Sequence, residues 1–162
     1  MKSAGVLLGL TLVIGISGCA VNEDLPMNPD DRILLVKSQV QEAEMKAAEL
    51  VPVDDRIDIE QADKGTLLSC SGGRQWSGST TIQLKNPANG EQVVDRLGKV
   101  AADQGFTVTR STTPDGAARL RLIDGHGTTV YASTWVDGRS IEVNSFSECF
   151  PLPKGFRPDR SY

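Results

Sequence analysis

The chain has a single histidine, His126, and only three cysteines among 162 residues. With Cys19 set apart by the motif around it, the two cysteines and one histidine that remain, without a C-x-x-C spacing, make no convincing zinc shell, so no metal is expected. Any triad or general base must pass through His126. It stands inside Asp124-Gly125-His126-Gly127, which reads as a hairpin tip, and a ring there lacks the orienting partner that a catalytic base needs. No Gly-x-Ser-x-Gly elbow is present, and Ser71-Gly72-Gly73-Arg74 lacks the lysine of a phosphate-binding loop. Acid pairs such as Asp54-Asp55 fall in a polar stretch, where solvation is their expected state. These absences argue against an enzyme and against a bound cofactor. A cationic excess is missing too: the net charge is −4, which excludes nucleic acid as an expected partner. Aromatic residues are few, and both tryptophans, Trp76 and Trp135, fall in predicted strands and read as core.

The apolar run at the start, Val6 to Ile16, is broken by Gly9, Thr11 and Gly15. It falls short of the roughly 20 residues of a spanning helix, and Lys2 before it completes the pattern of a signal peptide. Ile16-Ser17-Gly18-Cys19 follows. An aliphatic residue and two small ones before a cysteine form a lipobox, which predicts cleavage after residue 18 and a diacylglycerol on Cys19. Two acyl chains suffice for stable anchoring where one does not. Residues 19–29, with Asp24, Pro26, Asn28 and Pro29, read as a polar tether. Ala20 follows the cysteine, so an inner-membrane retention aspartate is absent. The expected place is extracytoplasmic, lipid-anchored to the outer face of the cell membrane.

Cys70 and Cys149 remain. Outside the cytoplasm a lone pair most simply forms a disulfide, the alternative being two free buried thiols. The loop of about 80 residues would stabilise the fold by about 4–5 kcal/mol on the chain-entropy estimate.

Charge divides the chain. Residues 19–66 hold 12 acids and 5 bases, whereas residues 67–162 hold 9 acids and 11 bases. An acidic helical arm and connector (30–66) therefore precedes a domain (67–150), and a Pro/basic tail (151–162) closes the chain. Pro29-Asp30-Asp31 reads as the cap of a helix to about Leu50, with Val36, Val40, Ala43, Ala47 and Leu50 as an apolar stripe. That stripe packs on its own domain or forms a coiled-coil seam, and the first is favoured. The arm is treated as an extension without a second core. In the connector, Ile57-Asp58-Ile59 offers a short extended piece.

Trp76, Gly78, Thr80, Ile82 and Leu84 alternate with polar residues as a strand with one buried face. Asn89 with Gln92 suggests a capping box for a helix carrying Val93, Leu97, Val100, Ala101 and Gln104 along one side, stopped by Gly105 and Phe106. Four more strands follow, turned at Pro114-Asp115-Gly116, Asp124–Gly127 and Asp137-Gly138. The expected fold is α+β: an antiparallel sheet of about five strands, in β-α-β-β-β-β order, with one helix on a face and the helical arm added. The disulfide would be easiest if the first and last strands were neighbours.

Leu68-Ser69-Cys70, Trp76-Ser77-Gly78, Gln104-Gly105-Phe106 and Ser147-Glu148-Cys149-Phe150-Pro151 occur in that order. Together with the lipobox they resemble small actinobacterial cell-envelope lipoproteins of the mycobacterial LppA type. The resemblance covers most of the mature chain and rests on structural motifs, so it implies place and plan and no activity.

Arg119 and Arg121 share one side of their strand, opposite Leu120 and Leu122; Arg110 and Arg139 join them in a suitable register. The plain reading is the solvated face of an antiparallel sheet. The sharper one is a cationic binding surface for an anionic envelope polymer, a lipid headgroup or an acidic protein, unless the acidic arm covers that face itself. The expected function is thus a membrane-anchored, non-catalytic binding or interaction domain. A small apolar-ligand (lipid) carrier with a pocket between helix and sheet is the alternative, and a wall-active hydrolase comes third.

Overall fold

The computed structural model describes residues 28–159 and 161–162. The signal segment 1–18, Cys19 and the tether as far as residue 27 lie outside the described residues.

Helix α1 spans Pro29–Glu49. Asn28 caps it, its side-chain oxygen accepting the Asp30 N–H at 2.9 Å. The cap thus falls one residue earlier than the sequence pattern suggests. Pro29 then occupies the first turn, where a missing N–H costs nothing, and Asp30 and Asp31 meet the positive end of the helix dipole. Seven strands and a second helix follow: β1 (Arg56–Gln61), β2 (Thr66–Cys70), β3 (Gly73–Leu84), α2 (Gly90–Asp103), β4 (Thr107–Thr112), β5 (Ala118–Ile123), β6 (Thr129–Thr134) and β7 (Ser140–Phe146).

The fold is α+β, as expected. The strands form one antiparallel sheet in the order β1-β3-β7-β6-β5-β4, with β2 also paired to β3. Seven strands replace the expected five because the supposed connector supplies β1 and the stretch just before and around Cys70, at the start of the expected domain, supplies β2. β3 is 12 residues long, enough for β1 to pair with its second half and β2 with its first half along the same side. Its other side pairs with β7, Ile82 facing Ile141. β3, the strand that the sequence suggested as the first of the 67–150 unit, is therefore the neighbour of the last, β7. Cys70 and Cys149, just beyond this ladder, are disulfide-bonded with Cα atoms 6.0 Å apart.

Alternation along β3 decides what the sheet buries. Trp76, Gly78, Thr80, Ile82 and Leu84 are all buried, and so are Leu120, Leu122, Val130, Ala132, Ile141 and Val143 from β5, β6 and β7. Both helices cover this one face. α2 lies against β4, β5 and β6, and α1 lies against β3 and β7. α2 buries Val93, Val94, Leu97, Gly98 and Ala101, whereas Val100 is exposed. Val94 takes its place because residues 90, 93, 94, 97, 98 and 101 trace the stripe of a 3.6-residue period. The capping box does not form: Asn89 makes no side-chain cap bond. A 3-10 turn, Pro87–Asn89, precedes α2 instead, and Asn86 caps that turn by accepting the Ala88 N–H at 3.2 Å. An Asn-Pro pair suits such a start, since proline fixes the first turn and the asparagine before it stays extended. Gly105, at φ 87°, ends the helix as expected, and Phe106 N–H returns to Ala101 O.

The acidic arm belongs to the domain. Its stripe packs on the sheet: Ala43, Ala47, Ala48 and Val51 join the main core. Ile33, Val36 and Val40 form a second cluster with Leu67, Trp76 and Phe150. Leu152, Phe156 and Tyr162 from the expected tail pack against that cluster as well. The tail is tied down further by reciprocal backbone bonds between Gly65 and Tyr162.

Candidate functional site on the uncovered sheet face

Strand register assigns the residues of the other face, which no helix among the described residues covers. Arg119 and Arg121 on β5 lie opposite Ser133 and Tyr131 on β6. Those two in turn face Glu142 and Asn144 on β7, and Thr129 faces Phe146. Thr81 and Ser79 on β3 continue the rows. The acidic arm does not cover this face, because its apolar stripe takes α1 to the opposite side.

The four arginines singled out in the sequence are not brought together. Arg119 and Arg121 share the uncovered face as expected. Arg110 pairs in register with Leu120, which places it on the helix side of the sheet, where it forms an ion pair with Asp95 of α2. Arg139 sits in the β6–β7 turn, where its backbone carbonyl accepts the Leu84 N–H. Register with Leu84 assigns it the parity of the buried face. Alternation in β5 alone fixes the Arg119–Arg121 pair, whereas Arg110 and Arg139 depend on register between strands.

The aromatics near the pair are the part that sequence pattern does not reveal. Tyr131 and Phe146 meet edge to face with centroids 6.0 Å apart, a favoured geometry for aromatic pairs. The Arg119 guanidinium lies 5.4 Å from the Tyr131 centroid, within cation–π range, and its Nε donates to Ser111 Oγ at 3.2 Å. Trp135, expected in the core, is 55% exposed. It follows the end of β6 just before the turn, and alternation from Tyr131 and Ser133 puts it on this face. A period-2 pattern assigns residues to two sides of a strand without saying which side is covered, and that is why the expectation for Trp135 fails. Gln75, Arg121, Thr129, Tyr131 and Phe146 line a cavity of about 350 Å³ here. Arg121 makes no ion pair with any described residue. Two strands from Arg119, Glu142 accepts from the Thr81 hydroxyl, and its carboxyl pKa is raised by burial and by Asp137.

No family model matches the chain, and no curated protein matches it. Among solved structures, a DUF4853 family protein from Actinomyces odontolyticus is similar at 18% identity and a TM-score of 0.46, covering 72% of this chain and 68% of that one.

His126 lies elsewhere, exposed at the β5–β6 turn. Its N–H and that of Thr128 both donate to Asp124 Oδ1, at 2.9 and 2.8 Å, an Asx turn that accounts for the Asp-Gly-His-Gly sequence. The turn borders a cleft of about 440 Å³ against α1, with Gln39, Val40, Glu148 and Phe150 on its walls.

Among the described residues, the most deeply buried charge-bearing group is a carboxylate that the sequence does not single out. Glu44 is fully buried beneath α1. It accepts from Gln61 Nε2 at 2.8 Å, from Thr80 Oγ1 at 3.1 Å and from the Ser145 hydroxyl. Burial raises its pKa against the pull of these three donors. Gly78 makes room for it, since a Cβ there would lie 2.5 Å from the Trp76 ring and 2.7 Å from Glu44 Oε1. Glu44 stands four residues after Val40 on the buried stripe, which is the one signal of its burial in the sequence.

Proposed function

We propose that this chain is an extracytoplasmic lipoprotein, cut before Cys19 and anchored there by diacylglycerol, that works by non-catalytic binding to an anionic component of the cell envelope. The observation carrying the binding part is the uncovered sheet face. Both helices lie on one side, and the other presents Arg119 and Arg121 beside three partly exposed aromatic rings. Such a face is a ready platform for a partner. The disulfide supports an oxidising compartment. No helix among the described residues is long and apolar enough to cross a membrane. Pro29 comes ten residues after Cys19, so an extended tether would hold the folded body within about 35 Å of the membrane. At that distance even a modest affinity suffices.

Two measurements test the proposal. The mass of the native chain should carry a diacylglyceryl increment on Cys19, and an unmodified cysteine would remove the anchor. Salt-sensitive binding to envelope fractions should be lost when Arg119 and Arg121 are both replaced by glutamate. Binding that survives this reversal would remove the face.

A further inference from the structure

Resting on that reading, we infer that the uncovered face binds an acidic polysaccharide, a sugar ring lying on Tyr131 and Phe146 with its carboxylate or phosphate held by Arg121.

The chemistry of the face selects this ligand. Of the chain's eight aromatic residues, Tyr131, Phe146 and Trp135 share the side of the sheet that neither α1 nor α2 covers. Tyr131 and Phe146 are partly exposed, and the area they leave open offers apolar contact to the C–H groups of a sugar, at low conformational cost because the strands already fix the rings. Around the rings stand groups that both donate and accept, the hydroxyls of Ser133, Ser79 and Thr129 and the amide of Asn144; Gln75 adds its Oε1 as an acceptor, since its Nε2 donates to the Ser147 carbonyl. Sugar hydroxyls also donate and accept, so each can be satisfied from this set. Glu142, two strands from Arg119, adds an acceptor for a hydroxyl.

Arg121 supplies the charge selection. Its guanidinium lines the same cavity as both rings and has no ionic partner among the described residues. A free guanidinium beside a ring matches a carboxylate or phosphate through two parallel N–H bonds. Arg119 is engaged with Ser111 and Tyr131 and braces the ring instead. An apolar lipid tail is disfavoured by the polar lining. The cavity's 350 Å³ lies at the lower end of ordinary small-ligand pockets, which suits one residue of a polymer continuing along the open face.

The test uses the full chain in detergent, titrated with polygalacturonate, neutral dextran and poly-glutamate while heat and tryptophan fluorescence are followed. Polygalacturonate should bind. Arg121→Gln should weaken it on the order of tenfold, the usual worth of a charge-assisted pair, and Tyr131→Ala comparably. Tyr131→Phe, which keeps the ring, and Arg110→Gln, on the other side of the sheet, should leave binding within about twofold. Thermal melts of each variant separate lost binding from lost fold. The inference is overturned if polygalacturonate does not bind, if dextran binds equally, or if Arg121→Gln has no effect. It is also overturned if poly-glutamate binds as tightly without needing Tyr131, which would make the face an acidic-peptide surface. Envelope binding that depends on Arg119 and Arg121 without polygalacturonate binding overturns this ligand class alone; loss of both overturns the face.

Discussion

Glu44 should make the protein less stable as pH rises, and a single isosteric change should remove that dependence. The carboxyl is fully buried, and three neutral donors hold it. Burial outweighs those donors and raises its pKa in the folded state. A raised pKa means that the folded chain holds a proton which the unfolded chain has already released. Stability from this group is therefore full below the unfolded pKa and falls as pH climbs through the folded value. The loss is about 1.4 kcal/mol for each pH unit that separates the two pKa values. In Glu44→Gln the amide oxygen still accepts from Gln61 and Thr80, while the amide nitrogen donates to Ser145 Oγ, which becomes an acceptor. This variant should match the wild type within about 1 kcal/mol at pH 5 and surpass it at pH 8. Glu44→Ala should be weaker than both at pH 5, by about 3 kcal/mol. It strands three polar groups, each worth about 1 kcal/mol, and opens a cavity above Gly78. Urea unfolding from pH 5 to 8 reads the difference between wild type and Glu44→Gln. The half-buried Glu142, on the opposite side of the sheet, cancels in that difference. Thermal melts should show the same trend at roughly 3–5 °C per kcal/mol. A difference that stays flat, or that favours the wild type as pH rises, would refute the reasoning.

Opening the disulfide should also be costly. The double change Cys70→Ser with Cys149→Ser frees a separation of 79 residues, worth about 4 kcal/mol by chain entropy. A loss under about 1 kcal/mol in urea would mean that the β3–β7 ladder and the Arg74–Phe150 bridge already hold the two ends. The two tryptophans should behave oppositely. Trp76→Ala removes a fully buried ring and should cost about 3–5 kcal/mol, whereas Trp135→Ser should change stability by no more than about 0.5 kcal/mol. Iodide should quench the emission of Trp76→Phe, which keeps only Trp135, far more than that of Trp135→Phe. Equal quenching would contradict the assigned burial.

The features legible in the sequence are those set by local chemistry. The alternation of Trp76 to Leu84, the Gly105-Phe106 stop and the glycine turns at 116, 127 and 138 each depend on a few adjacent residues, and each appears in the structure. What escapes depends on partners far along the chain. β1 reads as a connector because its pairing with β3 includes a bulge between Arg56 and Asp58, which breaks its alternation. Arg110 and Arg139 need the register of neighbouring strands. Trp135 needs the knowledge that both helices choose one face. For the candidate site, the arginine pair is legible and the aromatic rings beside it are not, because Phe146 reaches Tyr131 only through the β6–β7 pairing. Glu44 is hidden by the habit of reading carboxylates as solvated, although Val40 one turn earlier marks its position as interior.

The second cluster joins the two ends of the described chain, and this sets the order in which the molecule can be completed. Ile33 and Phe150 share it, and Arg32 donates to the Pro151 carbonyl at 2.6 Å across 119 positions. Contacts of such separation form late, because a long loop must close before they contribute anything. A chain still being synthesised cannot complete the packing of the first turns of α1 until Phe150 and the residues after it emerge. The growing polypeptide therefore leaves this cluster incomplete and keeps Cys70 and Cys149 apart until that moment, and only then can it close on itself.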